Sequence, residues 1–229
     1  MQNGYAIAID GPVAAGKGTV ATLLAEKLHG FHLYTGAFYR CLALYCLENQ
    51  IPKTNSDIIN SLKNIRFDID NGNILLNSED VTEKIKQRVV TSFVPVVAAI
   101  QEVREEMVKR QREIGMKRIA DGKIVIAEGR DAATKIFPDA RLKIFLTASS
   151  DVRAKRRFEQ MGGNNNETIS FGQILEDTIS RDKIDTERSV DPLVKNPEKH
   201  GYFVLDDTFL TEDETLNQIF QELKKEHFV

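Results

Sequence analysis

Apolar positions along this chain come in two rhythms. Short runs at residues 5–9, 31–34, 123–127, 142–146 and 201–205, several of them β-branched, have the length and composition of buried strands. Between them lie longer stretches whose apolar residues recur three and four apart, as in 20–28 and in the segment carrying Leu42, Leu44 and Leu47. These read as helices. Five strands alternating with helices predict an α/β fold, a parallel sheet covered on both faces. Thr211 and Glu214 form a capping box for a closing helix through Leu216, Ile219, Phe220 and Leu223.

The alternation breaks once. Residues 65–69 and 74–76 flank Asn71-Gly72, a two-residue hairpin signal. With that turn, Ile69 falls opposite Ile74 and Phe67 opposite Leu76, so the apolar faces coincide. A small subdomain at residues 62–104 is therefore read as an insertion into a core made of 1–61 and 105–229. A long polar helix is expected from Ala98 to Ala120, with Ile100, Val103, Met107 and Ile114 along one side. Its cations, Arg104, Lys109, Arg110 and Arg112, read mostly as a solvated face.

Charge and cysteine content narrow the classes. A net charge of −3 over 229 residues argues against a general binder of nucleic acid or membrane surfaces. Cys41 and Cys46 lie five apart on one expected helix with no metal-ligand pattern, and read as reduced, packed thiols. No apolar run approaches membrane length and nothing resembles a signal peptide, so a cytoplasmic protein is expected.

The candidate chemistry sits where expected strands end. Gly11-Pro12-Val13-Ala14-Ala15-Gly16-Lys17-Gly18-Thr19 joins the first strand to the first helix. There the backbone can curl its N–H groups around phosphate oxygens, the helix start adds its positive end, and Lys17 adds an ammonium. This is the phosphate loop of P-loop nucleotide enzymes, with Gly18 where the common form has the Ser or Thr that touches magnesium, and Thr19 one later. Thr35, read as a helix cap, and Arg40 follow the second strand and are candidates to hold an anion. Glu128-Gly129-Arg130-Asp131 follows the third; Glu128 is placed to orient magnesium through water. Arg153, Lys155, Arg156 and Arg157 run into Gly162-Gly163 and a polar loop, which suits a lid at about 154–170. Arg181, Asp185 and Arg188 share one helix face, and their spacing admits either a phosphate-and-sugar grip or a surface ladder.

Taken together, these segments resemble bacterial cytidylate kinase, in the P-loop nucleoside monophosphate kinase family. The resemblance covers nearly the whole chain, including Thr35-Gly36-Ala37-Phe38-Tyr39-Arg40, Phe137-Pro138-Asp139-Ala140 and Arg188-Ser189-Val190-Asp191-Pro192-Leu193. It implies transfer of the terminal phosphoryl of ATP, with Mg2+, to CMP or dCMP. Residues Gly11 to Thr19, with Lys17, would hold the ATP phosphates. Thr35, Arg40, Arg104, Arg130, Asp131, Arg181, Asp185 and Arg188 would form the CMP site, Arg130 and Asp131 at the cytosine edge. Lys17, Arg153, Arg157, Arg181 and Arg188 are the expected catalytic side chains, and the hairpin matches the bacterial insertion. Tyr34 and Glu128 stand where the family usually has aspartate, and Ala14 where it has glycine. Pro95 stands where it has a small hydroxyl residue, which Thr91 or Ser92 could replace. The expected working form is a monomer acting on ATP and CMP or dCMP, with no nucleic-acid polymer and no membrane. The competing readings are a kinase for AMP, UMP or shikimate, and a nucleotide-binding regulator without catalysis.

Overall fold

The computed structural model describes residues 4–70, 72–163 and 170–225. Among these, strands β1 (Tyr5–Asp10), β2 (Phe31–Tyr34), β6 (Ile124–Glu128), β7 (Leu142–Thr147) and β8 (Phe203–Asp206) form one five-stranded sheet in the order β2-β6-β1-β7-β8. Every pairing is parallel, as expected from the alternation of strands and helices.

Side-chain alternation on β1 separates two cores. Tyr5, Ile7 and Ile9 pack with helices α1 (Lys17–Lys27) and α8 (Glu212–Lys225). Ala6 and Ala8 face the other way, toward α2 (Thr35–Glu48) and α5 (Gln101–Ala120). With both faces covered, β1 is buried along its whole length. Its C-terminal end lies between β6 on one side and β7 on the other, the position at which open α/β sheets form a ligand crevice.

The hairpin has the expected register: β3 (Phe67–Asp70) pairs antiparallel with β4 (Asn73–Leu76), Ile69 opposite Ile74 and Phe67 opposite Leu76. Asn71 lies outside the described residues, and Gly72 has φ +84°, which glycine adopts without cost. A two-residue third strand, β5 (Glu79–Asp80), joins the edge. Between α2 and the hairpin runs a short helix, α3 (Asn55–Ser61), capped by the Thr54 side chain. The apolar residues of the segment merge with the main core, since Ile69, Ile74, Val81, Ile85, Val90 and Phe93 share one cluster with Phe38 and Leu42.

Three local readings are corrected. The helix expected from Ala98 to Ala120 starts at Gln101 as α5, because Ile100 turns extended and buries its side chain, and Ala98 instead ends a separate helix, α4 (Arg88–Ala98). Thr35 does not cap α2. It is the helix's first residue, and its hydroxyl donates across the cleft floor to the Glu128 carbonyl at 2.8 Å. The last strand starts two residues late, because Gly201 at φ +74° closes a 3-10 turn over Pro197–His200 first. The capping box at Thr211 and Glu214 forms in both directions.

Gly11 is the position that the crevice least tolerates changing. A Cβ there would lie 2.0 Å from the backbone oxygen of Leu146 on β7, and neither strand can retreat without breaking the sheet. We expect Gly11→Ala to lower unfolding free energy by more than about 3 kcal/mol, measured by denaturant titration; a loss under about 1 kcal/mol would show that the β1–β7 approach is adjustable.

Candidate active site

Asp10 ends β1 and the chain then curls through Gly11–Gly16 into α1. Gly16 is the helix N-cap at φ +78°, with no side chain capping it, so the first-turn N–H groups are available to a ligand. Ala14 also adopts a left-handed conformation, φ +57°, at a cost of about 1–2 kcal/mol for a residue with a Cβ. Lys17 is buried, and its ammonium donates to the Pro12 carbonyl at 2.6 Å. Burial, reinforced by the nearby charge of Arg130, pushes its pKa down to about 7, opposed by Glu128, Asp10 and Asp185. Thr19, also in the first turn, is exposed.

Facing this loop is a cluster organised by Asp185 on α7 (Phe171–Glu187), whose side chain is 2% exposed. One carboxylate oxygen accepts from Arg130 Nε at 2.7 Å, and the other from Arg181 Nε at 3.2 Å. Arg188 Nη1 lies 3.8 Å from the second. Burial alone would raise this carboxyl, but Arg130 and Arg181 hold it below the ordinary range. The surface-ladder reading of the 181, 185, 188 spacing is therefore excluded: the carboxylate is interior and also binds an arginine from the β6 turn.

A second group lies beside it. Arg104, which helix spacing puts on a solvated face and the resemblance puts in the CMP site, is fully buried on α5; it pairs with Asp131, with Asp191 at 2.9 Å, and packs over the Tyr39 ring. Lys135 completes this group, 2.9 Å from Asp191. Arg40 donates to the Ile85 carbonyl at 3.0 Å and to Thr91 Oγ1 at 2.8 Å, tying α2 to α4.

The basic helix α6 (Ser150–Gln160) divides its arginines. Arg153 is buried at its base, donating to Ala148 and Val13 carbonyls and pairing with Asp182 at 2.7 Å. Arg156 forks onto Asp207 with two contacts of 3.0 Å. Arg157 lies near Arg40, and burial together with that like charge lowers its pKa. The second half of the expected lid, residues 164–169, lies outside the described residues.

Sequence reasoning named Asp131 and Asp185 but missed four further aspartates that hold this cationic cleft together, Asp10, Asp182, Asp191 and Asp207. Asp10 is fully buried and accepts from the Ala132 and Ala133 amides at 2.8 and 2.9 Å and from the Tyr202 hydroxyl at 2.8 Å, fixing the turn that aims Arg130 and Asp131. Burial pushes its pKa up to about 6 against those hydrogen bonds. Asp182, Asp191 and Asp207 were passed over although two of them adjoin or fall within quoted motifs; no local spacing links them to their partners.

The profile of the cytidylate kinase family matches residues 7–225. The chain belongs to that family. Cytidylate kinase from Caldanaerobacter subterraneus subsp. tengcongensis is 39% identical over 220 residues, covering 96% of this chain and 94% of that protein. The Caldicellulosiruptor saccharolyticus cytidylate kinase is 41% identical over 220 residues, covering 94% and 93%. Among solved structures, a sugar kinase from Janibacter sp. HTCC2649 superposes with a TM-score of 0.51 at 13% identity, covering 96% of this chain and 95% of that one, which is a likeness of fold.

Positions at which this cytidylate kinase family member departs from the usual pattern are accommodated locally. The Tyr34 ring folds back over Gly36, where a Cβ would lie 2.8 Å from it. Pro95 sits within α4, and Thr91, one turn earlier on the same helix, supplies a hydroxyl to Arg40. Glu128 is the buried last residue of β6. Among the described residues no three His, Cys, Asp or Glu side chains cluster as a metal site. A single hard-oxygen carboxylate beside a phosphate loop fits magnesium, which binds through one or two carboxylates, water and substrate phosphates.

Lys17 gives a pH signature. In the free protein it loses its proton near pH 7 rather than near 10.5, so between those values the unfolded chain holds more protons and stability contributed by this group rises with pH. An arriving polyphosphate reverses the shift. We expect ATP binding at pH 8 to take up about one proton, measured by calorimetry in buffers of different ionisation enthalpy, and Lys17→Met to abolish the uptake. Equal heats in all buffers for the unsubstituted protein would contradict the shift.

Proposed function

We propose that this chain transfers the terminal phosphoryl of ATP to CMP, and to dCMP, by direct in-line displacement. The observation that carries the reading is the charge balance of the cleft. In direct ion pairs Arg130, Arg181 and Arg188 share the carboxylate of Asp185, which leaves two guanidinium charges without a contacting partner, while Glu128 and Asp182 act on Arg130 from farther off. The neighbouring group balances, with Arg104 and Lys135 against Asp131 and Asp191. A phosphate monoester at neutral pH carries close to two negative charges, so the acceptor phosphate neutralises what Asp185 leaves over.

Residues Gly11 to Thr19 would cradle the ATP phosphates, with the Lys17 ammonium leaving the Pro12 carbonyl for the outer phosphates. Arg130 and Asp131 would meet the cytosine edge, while Arg40, Arg181 and Arg188 meet phosphate and sugar. Thr91, rather than Pro95, would contribute the small hydroxyl on that side. Glu128 would orient Mg2+, which supplies charge neutralisation on the transferring phosphates when bound. The acceptor is already a dianion, so no side chain has to remove a proton. The work of the site is alignment and stabilisation of charge spread over the moving phosphoryl. Arg157, which feels the charge of Arg40, would be the α6 arginine that meets the moving phosphoryl; Arg153 is engaged with the Val13 carbonyl and Asp182. Because every one of these groups comes from one chain, the proposed working form is a monomer.

Purified protein with ATP, magnesium and each nucleoside monophosphate in turn is the test, following the product diphosphate. We expect CMP and dCMP to exceed AMP and UMP by at least about a hundredfold in kcat/KM; a preference for AMP or UMP would overturn the assignment of Arg130 and Asp131 to cytosine. Lys17→Ala is expected to lower turnover about a thousandfold with the fold intact. Arg188→Ala is expected to raise the CMP KM about tenfold or more while moving the ATP KM less than about twofold. Equal rises for both nucleotides would remove Arg188 from the acceptor site.

A further inference from the structure

Asp182 lies next to Arg181 on α7, turned about 100° around the helix from it. Its carboxylate does not join the Asp185 cluster but reaches back to the phosphate loop. Oδ1 accepts from the Val13 amide at 3.2 Å, and Oδ2 pairs with Arg153 Nη2 at 2.7 Å. The same guanidinium donates Nη1 to the Val13 carbonyl at 2.9 Å and Nε to the Ala148 carbonyl at 2.8 Å. Val13 is thus gripped at both its N–H and its C=O by one ion pair. The residue after it, Ala14, is held left-handed, a conformation that an alanine keeps only where its surroundings enforce it.

We propose that Asp182, acting with Arg153, is a positioning residue that sets the distance between the donor loop and the acceptor-binding arginines. The argument is geometric. Arg181 and Asp185, which face the acceptor, and Asp182, which holds the donor loop, stand on one helix within two turns. A shift of the loop relative to α7 therefore shifts the donor phosphates relative to the acceptor by the same amount. In-line transfer is sensitive to that separation, and a displacement of about 1 Å can cost a hundredfold. Neither Asp182 nor Arg153 needs to touch the transferred group. The inference rests on the reading of the loop as the ATP site and of the α7 arginines as the acceptor site.

The test compares Asp182→Ala, Asp182→Asn, Arg153→Ala and the double alanine variant with the unsubstituted enzyme. Asp182→Ala is expected to lower kcat about ten- to a hundredfold while each KM moves less than about threefold, the pattern of lost alignment rather than lost binding. Asp182→Asn keeps an acceptor for the Val13 amide and gives up the ion pair, so it falls between. Because both residues act through one link, the double variant loses no more than about twofold beyond the worse single variant. Hydrogen exchange read on the peptide covering residues 11–19 accelerates in Asp182→Ala and Asp182→Asn. Turnover within twofold of the unsubstituted enzyme, losses that multiply in the double variant, a loss confined to the CMP KM, or unchanged exchange of that peptide would each overturn the proposal. An unsubstituted enzyme inactive on CMP would instead sink the functional reading, and the exchange measurement would still decide the link. If Asp182→Ala fails to fold, Asp182→Asn carries the same comparisons.

Discussion

The structure depends on burying guanidinium groups close to one another and holding them in place, before any substrate arrives, on a few carboxylates. Asp185 bears most of that burden. Its carboxylate is interior and meets three arginines, from the β6 turn, from α7 and from just past the end of α7. Removing one member of a buried ion pair leaves the other uncompensated, typically at about 3–5 kcal/mol. A carboxylate serving three cations concentrates that dependence in one residue. Asp131 and Asp191 do the same for Arg104, Asp182 for Arg153, and Asp207 for Arg156. The cleft can thus stay strongly cationic toward a ligand while its arginines are held in place by interior aspartates.

The sheet explains how those residues come together. All five strands run the same way, so their C-terminal ends deliver Asp10, Tyr34, Glu128, Thr147 and Asp206 to one edge. From there the turn after β6 swings back under Asp10, which fixes two of its amides. The Thr35 hydroxyl bonds the Glu128 carbonyl, and a Cβ at Gly129 would lie 2.4 Å from that hydroxyl oxygen. The segment carrying the hairpin shares its apolar cluster with α2, so it can brace Arg40. Its contacts to Ile85 and Thr91 come from that segment.

What was legible in the sequence was what short-range chemistry dictates. Short continuous apolar runs marked the strands, the Asn71-Gly72 turn gave the hairpin register, and Thr211 with Glu214 gave the last helix's start. The phosphate loop was legible because its function requires glycines, a lysine and a helix start in one continuous stretch. Asp10 and Asp182 were not, since their partners lie more than a hundred residues away along the chain: Ala132 and Ala133 for Asp10, Val13 for Asp182. Arg104 was singled out only by the family resemblance, because local spacing reads it as part of a solvated face. On a helix crowded with Lys109, Arg110 and Arg112, nothing local separates the one arginine facing an interior carboxylate. The break at Ile100 was hidden because residues 98–120 keep helical spacing straight through it. Thr35 was misassigned because a threonine before a helix usually caps it, whereas here a neighbouring strand's carbonyl competes for the hydroxyl.

The departures from the usual family pattern then acquire a common interpretation. Against the pattern the resemblance implies, Tyr34 replaces a charged residue with a neutral one, Glu128 lengthens a carboxylate without changing its charge, Ala14 changes a glycine position, and Pro95 gives up a hydroxyl that Thr91 offers one turn earlier. None of them is an ion-pair partner of Asp185, although Tyr34 and Glu128 lie within electrostatic reach of Arg130. If the chemistry depended on a general base held to a narrow geometry, such substitutions at the mouth of the phosphate loop would be hard to reconcile with activity. An acceptor that arrives as a dianion needs no base, only a charge to meet and a fixed distance to the donor. The charge resides on Arg130, Arg181 and Arg188, and the distance is set from the same helix through Asp182. A site built this way tolerates variation around the metal more readily than variation among its interior aspartates.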